Sequence, residues 1–286
     1  FVNFPNVVDT TRQQIPLGIA QIGKAFRNEI TPGNFIFRTR EFEQMEMQFF
    51  VNPEESDEWF ETWKERRKAF YDTIGIDPDN LRFHEHGPDE LAHYARAAFD
   101  VEYKFPIGWS ELEGIHNRSD FDLKQHAEFS GKNMSYRDPQ TNEVYTPFII
   151  ETSAGCDRTT LAVMCEAYEE ETLEDGSVRT VMHFHPRLAP IKVAILPLVK
   201  KGGLKELAGE IKDDLKRHFN VFYDEKGAIG RRYRRMDEAG TPYCVTIDFD
   251  TLEDKAVTVR DRDSMEQIRV PIGELQAWLA KRILIS

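Results

Sequence analysis

Cysteine is scarce in this chain. Its 286 residues include three, Cys156, Cys165 and Cys244, widely spaced and without a CxxC pair. A disulfide framework and a thiolate zinc site are therefore not expected, and a reducing, cytoplasmic setting is. No apolar run approaches the ~20 residues a membrane span needs, so no membrane partner is expected. The opening residues, Phe1-Val2-Asn3-Phe4-Pro5, lack the basic and then apolar stretch of a signal peptide. They also lack an initiator Met, which reads as a processed or partial chain. There is no internal repeat. What is present is 40% hydrophobic residues, 20 Phe and 30% charged residues, the composition of a folded globular chain of about two domains.

The net charge of −13 is wrong for a nucleic-acid binder taken whole, but it is unevenly spread. From Arg187 onward 19 Lys+Arg face 16 Asp+Glu, a net of +3, and the first 186 residues hold 18 against 34, a net of −16. The C-terminal part is thus free to meet phosphates.

Local patterns predict a helix running into a strand over 15–30, a turn at Thr31-Pro32-Gly33-Asn34, and a strand over 35–51. An amphipathic helix follows over 54–74, with Trp59, Trp63 and Phe70 as core packing. A short helix over 88–99, strands over 105–123 and 147–152, and a helix over 157–170 come next. Residues 169–179 read as an acidic loop. His185-Pro186-Arg187-Leu188-Ala189-Pro190 reads as a rigid linker. Beyond it lie strands at 191–199, 221–223, 243–249 and 256–260, and helices at 204–219, 229–239 and 272–283. That alternation implies an α/β domain whose sheet is buried on both faces.

Chemistry concentrates in three stretches. In the first, Arg40, Phe42, Gln44, Glu46 and Gln48 share one strand face, and Met45, Met47 and Phe49 the other. The span from Arg40 to Glu46, about 20 Å at ~3.3 Å per residue, suits a nucleotide joined to a small acid. An Arg meets phosphate, an aromatic ring stacks on a base and a carboxylate meets an ammonium group. A solvated strand face fits the same pattern. In the second, Glu151-Thr152-Ser153-Ala154-Gly155-Cys156-Asp157-Arg158 enters a helix just after Gly155, and a helix N-terminus favours anions. Arg158 in the first turn opposes the helix dipole, a misfit that a phosphate relieves. In the third, Glu111 and Glu113 are expected on one strand face, where a Mg²⁺ ion with substrate phosphates would offset their repulsion. For Glu113 alone a solvated charge is the preferred reading. The pairs His84/His86 and His183/His185 are read as surface histidines. Arg231-Arg232-Tyr233-Arg234-Arg235 can cover phosphates and stack on a base, or be a solvated basic face.

Phe26-Arg27-Asn28-Glu29 followed by Phe37-Arg38-Thr39-Arg40-Glu41-Phe42-Glu43-Gln44-Met45-Glu46 resembles motif 2 of class II aminoacyl-tRNA synthetases, in its glycyl-specific form. The stretch ending at Arg158 resembles motif 3, which is usually richer in glycine. The resemblance implies ATP and glycine as substrates, tRNA(Gly) as partner and Mg²⁺ as cofactor. Arg27, Arg158 and Glu111 are implied as the catalytic set, with Glu111 as the metal ligand. ATP contacts are implied at Arg27, Asn28, Glu29, the run Phe37, Arg38, Thr39, Arg40, Glu41 and Phe42, then Glu111, Leu112, Gly155, Cys156, Asp157 and Arg158. Glycine contacts are implied at Phe42, Glu43, Gln44, Met45 and Glu46, and at Glu151, Thr152, Ser153, Ala154 and Gly155.

The same family implies an α+β catalytic domain with an antiparallel sheet over 1–186, carrying a helical insertion at about 53–100. An α/β anticodon-binding domain over 187–286 would follow, with tRNA contacts at Arg231, Arg232, Arg234 and Arg235. Glycyl enzymes carry Arg-Pro-Glu-Thr-Ala-Gln-Gly and motif 1 upstream. A homodimer is therefore expected of the full-length parent, and impaired charging of the isolated chain. The alternative is a synthetase-like accessory protein that keeps the fold without catalysis. The presence of Arg27, Arg40 and Arg158 argues for the enzyme.

Overall fold

The computed structural model describes residues 1–284. Contacts divide the chain into two compact units, Phe1–Ala162 and the segment from Val163 onward.

The first unit begins with α1 (Phe4–Thr11), then β1 (Leu17–Phe26) and β2 (Glu41–Val51). Asn52 then turns the chain by accepting the Glu54 N–H at 3.0 Å, and α2 (Ser56–Thr73) follows. Next come β3 (Leu81–Glu85), β4 (Ala97–Phe105), β5 (Gly108–Asn117) and α3 (Phe121–Ser130). A two-residue hairpin, β6 (Tyr136–Arg137) and β7 (Val144–Tyr145), leads to β8 (Phe148–Gly155) and α4 (Cys156–Ala167). Six strands pair in the order β1-β2-β8-β5-β4-β3, every pair antiparallel.

The alternation of β2 sorts its two faces. Met47 and Phe49 turn toward α2, where the Phe49 ring lies 4.9 Å from Trp59 and 5.2 Å from Trp63. Phe50 turns the other way and stacks on Phe4 at 4.4 Å, in a core with Leu123, Met134, Tyr136 and Ile149. Gln44, Glu46 and Gln48 share the face of Phe50. One strand face thus passes from sealed core to polar floor.

The second unit adds the hairpin β9 (Tyr168–Thr172) and β10 (Val178–Met182). It continues with β11 (Val193–Pro197), α5 (Leu204–Leu215), β12 (Val221–Tyr223) and α6 (Ile229–Glu238). The last elements are β13 (Tyr243–Ile247), α7 (Phe249–Asp254), β14 (Ala256–Asp261), β15 (Gln267–Pro271) and α8 (Leu275–Leu284). Its sheet runs β12-β11-β13-β14-β15, parallel across β12, β11 and β13 and antiparallel beyond. Every residue of β11 and β13 is buried, as a sheet covered on both faces requires. Val193, Ile195 and Val245 pack under α5 and α8, and Ala194, Leu196 and Cys244 under α6.

Several sequence expectations are corrected. Residues 17–26 form a strand, not a helix, because β2 offers a full ladder from Leu17↔Phe50 to Phe26↔Glu41. No helix forms over 88–99; turns lead into β4, whose first residues pair with Asn117 to Ile115. The stretch 105–123 is not one strand but β5, then a turn and the start of α3. The acidic stretch 169–179 contributes a hairpin, turned at Gly176 with φ +79°. Residues 53–100 hold α2, but they also give β3 and the start of β4 to the main sheet.

Gly240 ends α6 with φ +74°, and a Cβ there would lie 2.3 Å from Phe184 Cδ2 and 2.9 Å from the Met182 carbonyl oxygen. Gly240→Ala should lower stability by about 2–4 kcal/mol, combining left-handed backbone strain with overpacking. Denaturant unfolding of the chain reads this; a loss under about 0.5 kcal/mol would contradict it.

Candidate functional site

Motif segments far apart in sequence meet at one end of the first sheet. The Arg27 N–H donates to the Arg40 carbonyl at 3.0 Å, closing the mouth of the β1–β2 loop. Within that loop Gly33 and Arg38 form a bridge, turned by Asn34 and Phe35 at φ +56° and +55°. Beside it lies an open cleft. Arg27, Glu29, Phe37, Arg38, Thr39, Phe42, Gln44, Glu111, Leu112, Ser153, Gly155, Asp157 and Arg158 line it.

Arg158 is fixed in that cleft by its partners. Its Nε donates to the Phe37 carbonyl at 3.0 Å and its Nη1 to the Glu111 carbonyl at 3.0 Å, with the guanidinium 4.4 Å above the Phe37 ring. Burial holds its pKa below the usual arginine value, and Arg38 and Arg27 push the same way against Glu111. An anion placed between these arginines would relieve that repulsion. Arg27 lies 5.5 Å from the Phe42 ring, so a flat ligand on Phe42 would be next to a cation. Glu29 is tied to Arg38 at 3.2 Å, and Asp157 accepts the Glu43 N–H at 2.7 Å. The Glu111 carboxylate stays more than half exposed, 3.9 Å from Arg158. It is the carboxylate of the cleft available to hold a divalent cation with substrate phosphates.

A β-bulge aims Glu111 there. The β4–β5 pairing shifts so that Val101 opposes Glu113 and Glu102 opposes Glu111. The expectation that the two glutamates share a face is therefore wrong. Glu113, 1% exposed, accepts from Arg67 at 2.6 Å and from the Tyr71 hydroxyl at 2.6 Å under α2. It is a buried ion pair, neither a metal ligand nor a solvated charge.

Next to the cleft, β2 and β8 build a polar floor. Register sets Gln44 opposite Gly155, Glu46 opposite Ser153 and Gln48 opposite Glu151. Gln44 Nε2 donates to Ser153 Oγ at 2.5 Å and to Glu46 at 2.8 Å. Gln48 Nε2 donates to Glu46 at 2.6 Å and to Glu151 at 2.8 Å. Arg118, clamped by both oxygens of Asp122 at 2.8 and 3.0 Å and lying 4.0 Å from the Tyr94 ring, donates to Glu151 at 3.2 Å. Burial raises the pKa of Glu151, but His116, Arg118 and Gln48 outweigh it and hold the group below the carboxylate norm. Glu46 goes the other way: burial, and then the charge of Glu151, raise its pKa. Glu46 and Glu151 share with Asp122 the single guanidinium of Arg118, so this floor carries negative charge in excess. A small ammonium group fits that excess.

The remaining expected residues fall elsewhere. Arg40 donates to the Glu29 carbonyl at 3.0 Å, and Glu41 pairs with Lys24. Asn28 lies in the loop, and Cys156 opens α4. Met45, Thr152 and Ala154 lie on the α2 face of the sheet, with Glu43 at alternate register to Gln44. Sequence reasoning missed Arg118, His116 and the role of Gln48. The only signal for Arg118 was indirect: a carboxylate buried at Glu151 needs a cation, and Arg118 lies just beyond the paired strand β5.

In the second unit, the four α6 arginines diverge. Arg231 is exposed. Arg232 is 1% exposed and donates to the carbonyls of Pro197, Asp224 and Leu198 at 2.8, 3.0 and 3.2 Å, so its expected contact with nucleic acid is withdrawn. Arg234 lies 3.4 Å from Asp237, and Arg235 pairs with Asp224, both near half exposed.

Comparison with known proteins places these features in a family. The core domain of class II tRNA synthetases (G, H, P, S and T) matches residues 4–168, and an anticodon-binding domain matches 192–282. A glycine–tRNA ligase from Treponema denticola is 58% identical over 280 residues, covering 96% of this chain and 62% of that one. Another from Clostridium acetobutylicum is 57% identical over 283 residues, covering 99% and 61%. The chain thus spans about three fifths of the length of these relatives. Among solved structures, prolyl-tRNA synthetase from Cryptosporidium parvum, complexed with L-proline and AMP, matches in fold with a TM-score of 0.69 at 18% identity. That match covers 93% of this chain and 55% of the other.

Because the folded pKa of Glu46 lies above its unfolded value, its ionised form costs stability near neutrality, and that cost fades as pH falls and the carboxyl protonates. Glu46→Gln is expected to raise the melting temperature at pH 7, with the gain shrinking toward acid pH. A variant that melts lower than the parent at pH 7 would refute this account of the floor.

Proposed function

The chain belongs to the class II tRNA synthetase core family and carries its anticodon-binding domain, and from there we propose that it is the part of a glycine–tRNA ligase that activates glycine. The observation that carries the proposal is the junction of two sites: an arginine-lined cleft beside Phe42, and an anionic floor of Glu46, Glu151 and Ser153 within reach of it.

In this reading adenine stacks on Phe42 and its triphosphate lies among Arg27, Arg38 and Arg158. The ammonium of glycine meets Glu46 and Ser153, with Glu151 behind. A carboxylate oxygen of glycine attacks the α-phosphorus of ATP, the bond to the leaving oxygen breaks, and pyrophosphate departs. The 3′-terminal hydroxyl of tRNA(Gly) then attacks the carbonyl carbon and AMP leaves. Little proton transfer by side chains is needed. The protein positions the reactants and spreads charge away from phosphorus, Arg27 at the reacting phosphate and Arg158 at the far end of the chain. Glu111 would hold Mg²⁺, which when bound neutralises charge on the phosphates.

Selection of glycine rests on crowding. A roomy pocket separates substrates differing by one methylene by only ~1–3 kcal/mol. Here Gln44 bonds both Glu46 and Ser153, and in this reading that linked cluster stands where a β-methyl would go. The catalytic part is taken as 1–186 and the tRNA-reading part as 187–286. A cytoplasmic location and a homodimer of the full-length protein belong to the same reading. No helix among the described residues is long and apolar enough to cross a membrane.

Two tests follow. In the full-length protein that carries this chain, Arg27→Ala and Arg158→Ala should each slow glycine-dependent ATP–pyrophosphate exchange by about 10²–10³-fold, the usual cost of a transition-state charge contact. Near-normal exchange in either variant would remove that arginine from the site. For tRNA, joint replacement of Arg231, Arg234 and Arg235 by Gln should weaken binding and flatten its salt dependence, the slope falling by about 0.7–0.9 per lost phosphate contact. An unchanged slope would move the tRNA surface off α6.

A further inference from the structure

The β9–β10 hairpin brings together a group that the synthetase chemistry does not use. Strand alternation and register put Glu169, Glu171 and, just past β10, His183 on one face of the hairpin. His183 Nε2 lies 3.0 Å from a Glu171 oxygen and 3.4 Å from a Glu169 oxygen, and the three ligand atoms all lie within 4.8 Å of one another. Among the described residues no other group of His, Cys, Asp and Glu gathers this closely. The sequence reading took His183 as a surface histidine; the structure surrounds it with three carboxylates.

The other ring nitrogen decides what the cluster offers. Nδ1 lies 2.6 Å from Asp263, whose two oxygens are both held by Arg262 at 2.6 and 2.8 Å. Asp263 is therefore an acceptor, and Nδ1 carries the proton that bonds it. Nε2 is then the ring nitrogen that faces the Glu169 and Glu171 carboxylates. Arg179 likewise holds Glu171 from behind at 2.7–2.8 Å, fixing the direction of its oxygens.

We propose that Glu169, Glu171 and His183 bind one Zn²⁺ ion, with water completing the coordination and Asp263 holding the imidazole in the ligating tautomer. Zinc bonds of about 2.0–2.2 Å to nitrogen and oxygen set tetrahedral ligand atoms about 3.3–3.5 Å apart, and the two separations from His183 Nε2, 3.4 and 3.0 Å, are of that order. Imidazole with carboxylates suits zinc better than magnesium or calcium, and a carboxylate behind the ligating histidine is the usual outer partner. Glu169 is 61% exposed and His183 26%, so a hydrated ion can reach them. Bound there, the ion would clip the two strands of the hairpin together.

The test is equilibrium dialysis of the chelator-stripped chain against Zn²⁺, with Mg²⁺ as control, alongside thermal melts. One tightly held zinc per chain and a zinc-dependent rise in melting temperature are expected. His183→Ala should abolish both. Glu169→Gln, on an exposed side chain that does not threaten folding, should weaken binding at least tenfold, and Asp263→Asn by about 10–100-fold. Absence of zinc uptake would overturn the proposal and leave an imidazolium bridging the carboxylates. Uptake unchanged in both His183→Ala and Glu169→Gln would overturn it too, by putting the ion elsewhere, for instance on a cysteine.

Discussion

Residues 44–48 and 151–155 are about a hundred positions apart, and antiparallel pairing sets Glu46 opposite Ser153 and Gln48 opposite Glu151. This register is the constraint on which the polar floor depends. A slip of one residue would send Gln44, Glu46 and Gln48 to the α2 side and bring Met45 and Met47 into their place. The register is held on both faces of the strand. Phe50 and Ile149 are sealed in one core, and Phe49 is wedged between Trp59 and Trp63 on the other face. Apolar packing at one end of β2 thus fixes polar chemistry at the other, although neither end touches it directly.

On that frame the two halves of the site solve opposite electrostatic problems. The cleft gathers Arg27, Arg38 and Arg158 with few free carboxylates, so its arginines repel and Arg158 is costly to keep charged. The floor gathers Glu46 and Glu151 beside a guanidinium already held by Asp122, and Glu46 resists ionisation. Each half is strained alone. A ligand with an anionic chain at one end and a cationic group at the other would relieve both, as ATP and glycine end to end would in the reading proposed above. Such misfits are the signature of a site shaped for a ligand, since folding alone would favour neutralising them.

Much of the site was legible because its residues belong to contiguous strings. Arg27, Phe42, Gln44, Glu46, Ser153 and Arg158 sit in two short stretches whose alternation and whose position before a helix could be read directly. What was not legible comes from long-range pairing. Residues 17–26 carry small residues at a spacing that suits a helix, and only the ladder offered by β2 makes them a strand. Arg118 and His116 act through β5 lying beside β8, and nothing local announces that neighbour. The Arg231–Arg235 run shows the converse failure. Composition treats its four arginines alike, while the 3.6-residue turn of α6 sends Arg232 inward to bind carbonyls that end β11.

The bulge in β5 shows how one backbone irregularity divides two similar side chains. In a regular strand Glu111 and Glu113 would point the same way, and two carboxylates side by side would need a cation or raised pKa values. The extra residue rotates them apart. Glu113 goes to Arg67 and Tyr71 and ties α2 to the sheet, where removing one partner of a buried pair costs about 3–5 kcal/mol. Glu111 is left on the cleft with its carboxylate more than half exposed and its carbonyl gripping Arg158. The same short segment therefore anchors the scaffold on one face and presents a ligand group on the other. Straightening the bulge would damage both at once, which is why such irregularities sit beside sites rather than at random along a sheet.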